Sequence, residues 1–314
     1  MELKERRDKL LNTWAQKEIN KRSIMGLLEK GLHADIERFF QEDDLQGNAF
    51  YLRELPGSIV ECQLKIKSDL LLSGMPYFVA AFNYLGANLN YETFSKYEGV
   101  QFTRGEVISF CLPFSIALTG ERIALNLLQR ASAVASFTAL FASKAESHNI
   151  RILDTRKTTP GLRSLEKYAV RVGGGFNHRF SQTDVWMIKD NHKSFFGGLK
   201  PAWEFFQKMQ THYNGIVVEI HSLLEFELAL DLGVKHIMLD NFSLADIKKA
   251  VELKKSDMTI EISGGININN CEQYFISGVD AISIGALTHS APHVDLSMKI
   301  KKLDSSASKD SYEF

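Results

Sequence analysis

The residues best suited to chemistry are concentrated in one segment, residues 151–193. Nine Lys and Arg residues but only four acids occur there, which gives a local excess of five positive charges in a chain of 314 residues whose formal net charge is -1. A field of this kind collects anions. We therefore expect the segment to bind a negatively charged substrate. Its basic residues are Arg151, Arg156, Lys157, Arg163, Lys167, Arg171, Arg179, Lys189 and Lys193.

A strand and a helix would position the first half of this segment. Residues 152–153 end a predicted buried strand, and residues 154–159, DTRKTT, place charges and hydroxyl groups where that strand gives way to a loop. Pro160 suits the entry to a helix whose apolar residues recur every three or four positions, and Gly173 ends it. The strand, loop and helix would thus hold the basic residues in fixed places.

The second half of the segment repeats this arrangement. The glycine run 173–175 has no Cβ atoms, so its backbone can approach whatever His178 and Arg179 hold. A second predicted strand, 185–188, then delivers Lys189 and Asp190 at its end. Both strands therefore end in charged residues.

Four further strand-like segments follow, with helical patterns between them, at residues 216–220, 236–239, 259–262 and 281–284. This alternation predicts βα repeats around a parallel sheet of six strands. Polar and small residues stand at or near the strand ends, which form the active face in a β/α barrel. Six strands are too few for a closed barrel of eight.

Several ordered motifs resemble those of the quinolinate phosphoribosyltransferases, also called carboxylating nicotinate-nucleotide pyrophosphorylases. They are DTRKTTPGLR, GGGFNHR and IKDNH, together with GERIALNLLQR, VVEI, MLDNF, EISGGI and SIGALTHS. The match is dense over residues 119–292 and thin before about residue 115, and many motifs in order are far more specific than one. The resemblance implies an α/β fold of the type II phosphoribosyltransferase kind, an open β/α barrel with a separate N-terminal α+β domain.

The resemblance also implies an enzyme, a pentosyltransferase of NAD biosynthesis. Its substrates would be quinolinate and phosphoribosyl pyrophosphate, and its products nicotinate mononucleotide, pyrophosphate and CO₂. No protein nucleophile is required for this reaction, so the protein would contribute positioning and electrostatics. The catalytic residues implied are Arg156, Lys157, Lys189, Glu219 and Asp240. Substrate binding would add Arg122, Thr155, His178, Arg179, Ser263, Gly264, Gly265, Ser283, Ile284, Gly285 and Ala286.

The residue types fit these roles. Arginine side chains grip carboxylates with two hydrogen bonds, while lysine and histidine supply charge or single hydrogen bonds. A lone Lys or Arg is more often a surface salt-bridge partner, but clustering at strand ends favours binding. Residues 263–265 and 283–286 present small side chains and backbone amides before predicted helices, an arrangement that suits phosphate.

Two acids complete the predicted site. With phosphates nearby, Mg²⁺ is the expected cofactor, and Glu219 and Asp240 could bind it directly or through water, or could instead bind the ribose hydroxyls. The alternative is that each acid caps the helix that follows it. His221 stands where the family often has another acid, and a partly buried packing histidine is the favoured interpretation.

The segment before the barrel is predicted from its texture. Residues up to about 40 have helical periodicity, and the apolar runs 59–60, 70–72, 78–82 and 107–112 are typical of strands between turns. The predicted domains are 1–118, 119–290, and a C-terminal segment 291–314 that can return to the N-terminal domain and ends in a frayed tail.

Assembly is predicted through one arginine. Thr119 is expected to cap a helix that runs to about Ser143, with Arg122 in its first turn. Such an Arg is often solvated, but the resemblance implies that Arg122 enters the active site of an adjoining subunit. We therefore expect a homodimer, or a multiple of dimers, with shared active sites.

Composition argues against several other classes. A pI of about 6.8 disfavours a nucleic-acid partner, and the absence of an apolar run near ~20 residues disfavours a membrane helix. The three cysteines are isolated, so neither disulfides nor a zinc site is expected. The first residues lack the apolar core of a signal peptide. These features predict a cytoplasmic protein.

Three alternatives remain open. A paralogue of the same fold could transfer phosphoribose to another acceptor. An aldolase-like barrel could use Lys189 as a Schiff-base amine, although Asp190 beside it would tend to keep it protonated. A catalytically silent nucleotide-binding protein is a third, for which the intact charged set would be an unexpected inheritance.

Overall fold

The computed structural model describes residue 32 and residues 35–303, which form two compact units. The first unit holds the described residues up to Ala139 together with 159–174 and those from Ala291 onward; the second holds 140–158 and 175–290. The first unit extends beyond the predicted boundary at residue 118, to Ala139, and it also includes residues 159–174. The helical prediction before residue 32 and the predicted tail after residue 303 lie outside the described residues.

The first unit is built around an antiparallel sheet. Its strands are β1 (Ile59–Ile66), β4 (Val107–Pro113) and β11 (Leu296–Lys302), in the order β11-β1-β4. Burial alternates along β1, because successive side chains of a strand point to opposite faces. The short strands β2 (Leu70–Leu71) and β3 (Gln101–Phe102) pair separately.

Helices cover this sheet and supply most of the core of the first unit. Residues 35–42 are helical. The helices that follow are α1 (Leu45–Glu54), α2 (Met75–Tyr84), α3 (Tyr91–Ser95), α4 (Phe114–Ala145) and α5 (Arg163–Val172). Gly173 follows α5 as its cap, as the sequence predicted.

Two sequence predictions in this region are wrong. Residues 78–82 were expected to be a strand but belong to α2, whose side chains are buried on nearly every side, so no helical period is visible in its sequence. Thr119 does not cap α4, because that helix begins five residues earlier at Phe114. The hydroxyl of Thr119 is buried instead.

One helical stretch in the described part of the chain, residues 114–148, is long and apolar enough to cross a membrane by length and composition. No such stretch was expected from the sequence, in which no uninterrupted apolar run approaches ~20 residues. In its most apolar window, 56% of the residues are buried inside the protein, which also suits a core helix. The absence of a membrane segment stays a prediction.

The second unit contains a parallel sheet of six strands in the order β5-β10-β9-β8-β7-β6. The two edge strands, β5 and β6, do not pair with each other among the described residues, so the sheet is open. This confirms the α/β class, the count of six strands and the open barrel. The strands are β5 (Arg151–Leu153), β6 (Trp186–Ile188), β7 (Ile216–Ile220), β8 (His236–Asp240), β9 (Thr259–Ser263) and β10 (Ala281–Ser283).

Helices follow the strands of this sheet along the chain. They are α6 (Asp190–Phe196), α7 (Leu199–Met209), α8 (Leu223–Asp231), α9 (Leu244–Glu252) and α10 (Ala286–His289), with 3-10 turns at Glu146–His148 and Cys271–Tyr274. Because the strands are parallel, all their carboxyl ends lie at one edge of the sheet, and the charged residues after them meet there.

Candidate active site

A cavity of about 760 Å³ opens at the carboxyl ends of these parallel strands. Fifteen of the sixteen predicted site residues line it. Thirteen of them follow a strand of this sheet or lie near its end, and His178 and Arg179 lie in the loop before β6. They are Thr155, Arg156, Lys157, His178, Arg179, Lys189, Glu219, Asp240, Ser263, Gly264, Gly265, Ser283, Ile284, Gly285 and Ala286.

The remaining predicted residue, Arg122, is exposed on α4 in the first unit and is not part of this lining. Five lining residues were not predicted: Met187, Met238, Asn241, Ile266 and His289. Most of them stand inside or beside the motifs already singled out, so position at a strand end was a signal that could have found them.

Two guanidinium groups dominate the basic side of the cavity. Burial, followed by the charge of Arg156, lowers the pKa of Arg179 from its ordinary value, while Asp184 and Glu219 oppose the shift. Nε of Arg156 is buried and has no hydrogen-bond partner among the described residues. A buried donor of this kind is costly unless it is paired. An anion bound here would satisfy that donor and relieve the repulsion.

The loop that carries Arg179 is tied to the end of β5. Phe176 N–H donates to the carbonyl of Ile152 at 2.8 Å, and Asp154 N–H donates to the carbonyl of Phe176 at 3.0 Å. The carboxylate of Asp154 is fully buried and accepts from Asn177 Nδ2 at 2.6 Å and from His178 N at 2.8 Å. These bonds fix the backbone that leads to the guanidinium.

Arg179 is then anchored at its far end. Its Nη1 donates to the carbonyls of Gln182 and Val185, each at 3.0 Å. A side chain held at its backbone and at one nitrogen loses little further freedom when it binds a ligand.

An ion pair crosses the cavity between two strands. Lys189, after β6, donates to Glu219 Oε2 near the end of β7, where Glu219 is largely buried. The alternative that Glu219 and Asp240 cap the following helices is wrong, because Ser222 caps α8 and Ser243 caps α9. Both carboxylates therefore face the cavity for another reason.

His221 joins the acids rather than packing in a core. Its Nε2 lies 2.6 Å from Asp190 Oδ1 and 3.9 Å from Glu219 Oε1, and its Nδ1 lies 3.7 Å from Asp240 Oδ2. The interpretation as a packing histidine is therefore wrong. Burial alone would raise the pKa of Asp190, but hydrogen bonding from Lys193 and the charge of His221 outweigh it and lower that pKa.

These residues could hold a divalent cation. Ligand atoms of Asp190, Glu219 and His221 all lie within 4.8 Å of one another, and Asp240 stands on the other side of the imidazole. A donor set rich in carboxylate oxygens fits Mg²⁺, which usually takes one or two carboxylates and completes its shell with substrate oxygens and water.

Glycines bring backbone close to the cavity on its other side. Gly264 has φ +100°, and a Cβ atom there would lie 2.3 Å from Asn241 Oδ1, so a larger residue would collide with it. Asn241 in turn donates from Nδ2 to Asp240 Oδ2 at 2.7 Å. Residues 283–286 lead into the four-residue helix α10, as predicted. The same prediction is wrong for residues 263–265, since no helix directly follows Gly265.

Similar proteins identify the family once this geometry is known. Residues 134–299 match the description "Quinolinate phosphoribosyl transferase, C-terminal domain", and residues 47–132 match the N-terminal domain of the same family. The probable nicotinate-nucleotide pyrophosphorylase [carboxylating] of Bacillus subtilis is 36% identical over 266 residues, which are 84% of this chain and 92% of that protein. The human nicotinate-nucleotide pyrophosphorylase [carboxylating] is 34% identical over 245 residues, 76% of this chain and 82% of the human one.

A solved structure agrees with the sequence comparison. The crystal structure of NadC from Streptococcus pyogenes superposes with a TM-score of 0.77 at 35% sequence identity, and the match covers 88% of this chain and 98% of that one. Both domains of the family are therefore present in order along the sequence. The chain belongs to the quinolinate phosphoribosyl transferase family.

Proposed function

We propose that the protein transfers phosphoribose from phosphoribosyl pyrophosphate to quinolinate with decarboxylation, and so makes nicotinate mononucleotide, pyrophosphate and CO₂ for NAD biosynthesis. The observation that carries this proposal is the pair Arg156 and Arg179. Repulsion between their guanidinium groups and the unpaired Nε of Arg156 both favour a bound anion with more than one negative group. Quinolinate has two adjacent carboxylates, so it could pair with both guanidinium groups.

The rest of the cavity suits the second substrate. Gly264 and Gly285 have no Cβ, so a phosphate could approach their backbone amides closely. A larger residue at Gly285 would also crowd the Lys157 side chain, since its Cβ would lie 3.2 Å from Lys157 Cδ. Thr288 Oγ1 donates to the carbonyl of Lys157 at 2.9 Å and fixes the loop that carries this cation. Lys157 would then meet phosphate oxygens as a point charge.

The acidic groups would act on the ribose and its leaving group. Glu219 and Asp240 suit the ribose hydroxyls or Mg²⁺, and Asp190 and His221 extend the same donor set. When bound, Mg²⁺ would neutralise charge on the pyrophosphate oxygens. No other cofactor is proposed.

The chemistry needs placement rather than a protein nucleophile. As the bond from ribose C1 to pyrophosphate breaks, positive charge develops on the sugar, and the lone pair of the pyridine nitrogen forms the new bond to C1. The carboxylate next to that nitrogen then leaves as CO₂, the electron pair stays on the ring carbon as a carbanion stabilised by the positive pyridinium, and a proton bonds to that carbon. Carboxylates of the protein close to the sugar would stabilise the first charge.

The pair Lys189 and Glu219 bears on the rival mechanism. A Schiff-base amine must be free to attack a carbonyl carbon, and the amine of Lys189 is instead bonded to the carboxylate of Glu219. This contact argues against an aldolase-like reaction, and borohydride trapping with carbonyl substrates would detect one.

We also propose that the enzyme works in the cytoplasm as a homodimer or a multiple of dimers, with Arg122 completing the site of a neighbouring subunit. Its partners would be the two small substrates rather than nucleic acid or a membrane. The near-neutral charge of the whole chain supports this view, since nucleic-acid-binding proteins are usually basic overall.

An acceptor assay tests the proposed function. Purified protein with phosphoribosyl pyrophosphate and Mg²⁺ is supplied with quinolinate or with nicotinate, which has a single carboxylate. We expect nicotinate mononucleotide with quinolinate and far slower turnover of nicotinate, because one guanidinium would stay unpaired. Equal or faster use of nicotinate, or of an unrelated acceptor, would overturn the proposal.

A further inference from the structure

Glu261 is a largely buried carboxylate on β9 that does not line the cavity but contacts two residues that do. Its Oε1 accepts a hydrogen bond from Ser283 Oγ on the neighbouring strand β10, and its Oε2 lies 3.5 Å from Nε2 of His178. Ala281 pairs with Glu261 in the parallel register, so Ser283 is only two residues farther along β10. One carboxylate therefore meets two different parts of the cavity wall.

The other nitrogen of His178 determines where the ring proton lies. Its Nδ1 accepts a hydrogen bond of 2.7 Å from the backbone N–H of Arg179. A nitrogen that accepts a hydrogen bond carries no proton, so the proton is on Nε2, which faces Glu261. The imidazole thus connects Glu261 to the backbone of Arg179.

We propose that Glu261 is a positioning residue that keeps the proton of His178 on Nε2 and thereby orients Arg179 toward the substrate carboxylates. A carboxylate is an acceptor only, so the Ser283 hydroxyl and the His178 Nε2–H both point toward it. The part of this inference that concerns the substrate rests on the proposed function.

The substitution Glu261→Gln tests this role with little change in size. Its amide has one acceptor oxygen and one donor group, so one of the two hydrogens must face another donor. An unsatisfied buried group of this kind weakens binding by about 5- to 150-fold. We expect the KM for quinolinate to rise within that range, and the KM for phosphoribosyl pyrophosphate and the kcat to change less.

Nitrogen-15 NMR of the ring gives a readout that does not depend on turnover. In full-length protein labelled with 15N-histidine, the His178 signals are assigned by their loss in His178→Gln. We expect Nε2–H with an accepting Nδ1 in the wild type, and an altered ring state in Glu261→Gln. The matched control is Glu227→Gln, an exposed residue of α8, which should change neither the spectrum nor the kinetics.

Every result decides between alternatives. A wild-type ring with its proton on Nδ1 would overturn the proposal even if Glu261→Gln failed to fold. A folded Glu261→Gln protein with an unchanged His178 spectrum and quinolinate KM would overturn it too. Signals that behave as expected in a protein that does not turn over quinolinate would refute the proposed function and support the positioning of His178 by Glu261.

Discussion

The guanidinium groups of individual arginine residues are proposed to bind the carboxylates of quinolinate. Arg179 is held by two backbone carbonyls at one end and by the Asp154-anchored loop at the other, and it is close enough to Arg156 for repulsion to lower its pKa. Such a group is prepared for an anion before the anion arrives. Its free energy contribution should therefore appear in quinolinate binding more than in any other step.

We predict that Arg179→Ala weakens quinolinate use much more than the binding of phosphoribosyl pyrophosphate. Removing one partner of a desolvated charge pair costs on the order of 2–5 kcal/mol, because the other partner stays buried and unpaired. Quinolinate affinity measured by calorimetry would show this loss, whereas Arg53→Ala, an exposed arginine of α1, should bind like the wild type. Unchanged quinolinate affinity in Arg179→Ala would refute the assignment.

The sequence was most informative about residues that act at strand ends. Most of the fifteen predicted lining residues could be placed because parallel strands bring their ends together, whereas His178 and Arg179 were placed from the glycine run before them. The roles of His221 and Glu261 could not be predicted, because they depend on contacts between side chains of different strands. The sequence shows that an acid stands at a strand end, but it does not show which side chain of a neighbouring strand that acid contacts.

At the scale of elements, a buried ion pair supports the helix that follows the DTRKTT motif. Arg130 of α4 donates to Glu166 of α5 at 2.6 Å, and the Glu166 side chain is fully buried. The other oxygen of Glu166 accepts from Thr159 N at 3.0 Å. One carboxylate thus holds both a neighbouring helix and the segment that enters α5.

We predict that Arg130→Met lowers the free energy of unfolding by about 3–5 kcal/mol, because Glu166 would stay buried without its cation. Urea-induced unfolding measures this change. The control Arg53→Met removes an exposed partner of Glu54 and should cost about 0–1 kcal/mol. Equal free energies of unfolding for the two variants would show that the buried pair stabilises the protein no more than the exposed pair does.

The sequence predicted the parallel strands to within a residue or two because β-rich apolar runs are bounded there by charged and small residues. It failed at α2, where an almost wholly buried helix shows no period. It also placed the start of α4 at Thr119, because the residues before it, from Phe114 onward, have the apolar texture of the preceding strand. Local patterns do not separate a buried helix from a buried strand.

For the molecule as a whole, Arg122 suggests that a second subunit completes the proposed site. Arg122 is exposed and belongs to the first unit, while the cavity lining lies in the second unit. We propose that the Arg122 of one subunit meets the substrate of another. If two subunits exchange this residue reciprocally, the assembly is a dimer or a multiple of dimers.

Mixing two inactive variants tests the shared site. Arg122→Ala and Lys189→Ala should each be inactive alone. After random subunit exchange, about half of the dimers are mixed, and each has one site with both residues intact, so activity should return to roughly 25% of the wild type. Persistent inactivity after verified exchange would show that Arg122 acts within its own chain.

Phosphoribosyl transfer coupled to decarboxylation should give nucleotide and CO₂ in a fixed ratio, and measuring that ratio is the most direct test of the proposed reaction. Quinolinate labelled in the carboxylate next to the ring nitrogen is incubated with phosphoribosyl pyrophosphate, Mg²⁺ and the purified protein. We predict that nicotinate mononucleotide, pyrophosphate and labelled CO₂ appear in equal amounts, and that none of them appears when phosphoribosyl pyrophosphate is omitted. A nucleotide that retains the labelled carboxylate, or release of CO₂ without nucleotide, would contradict it.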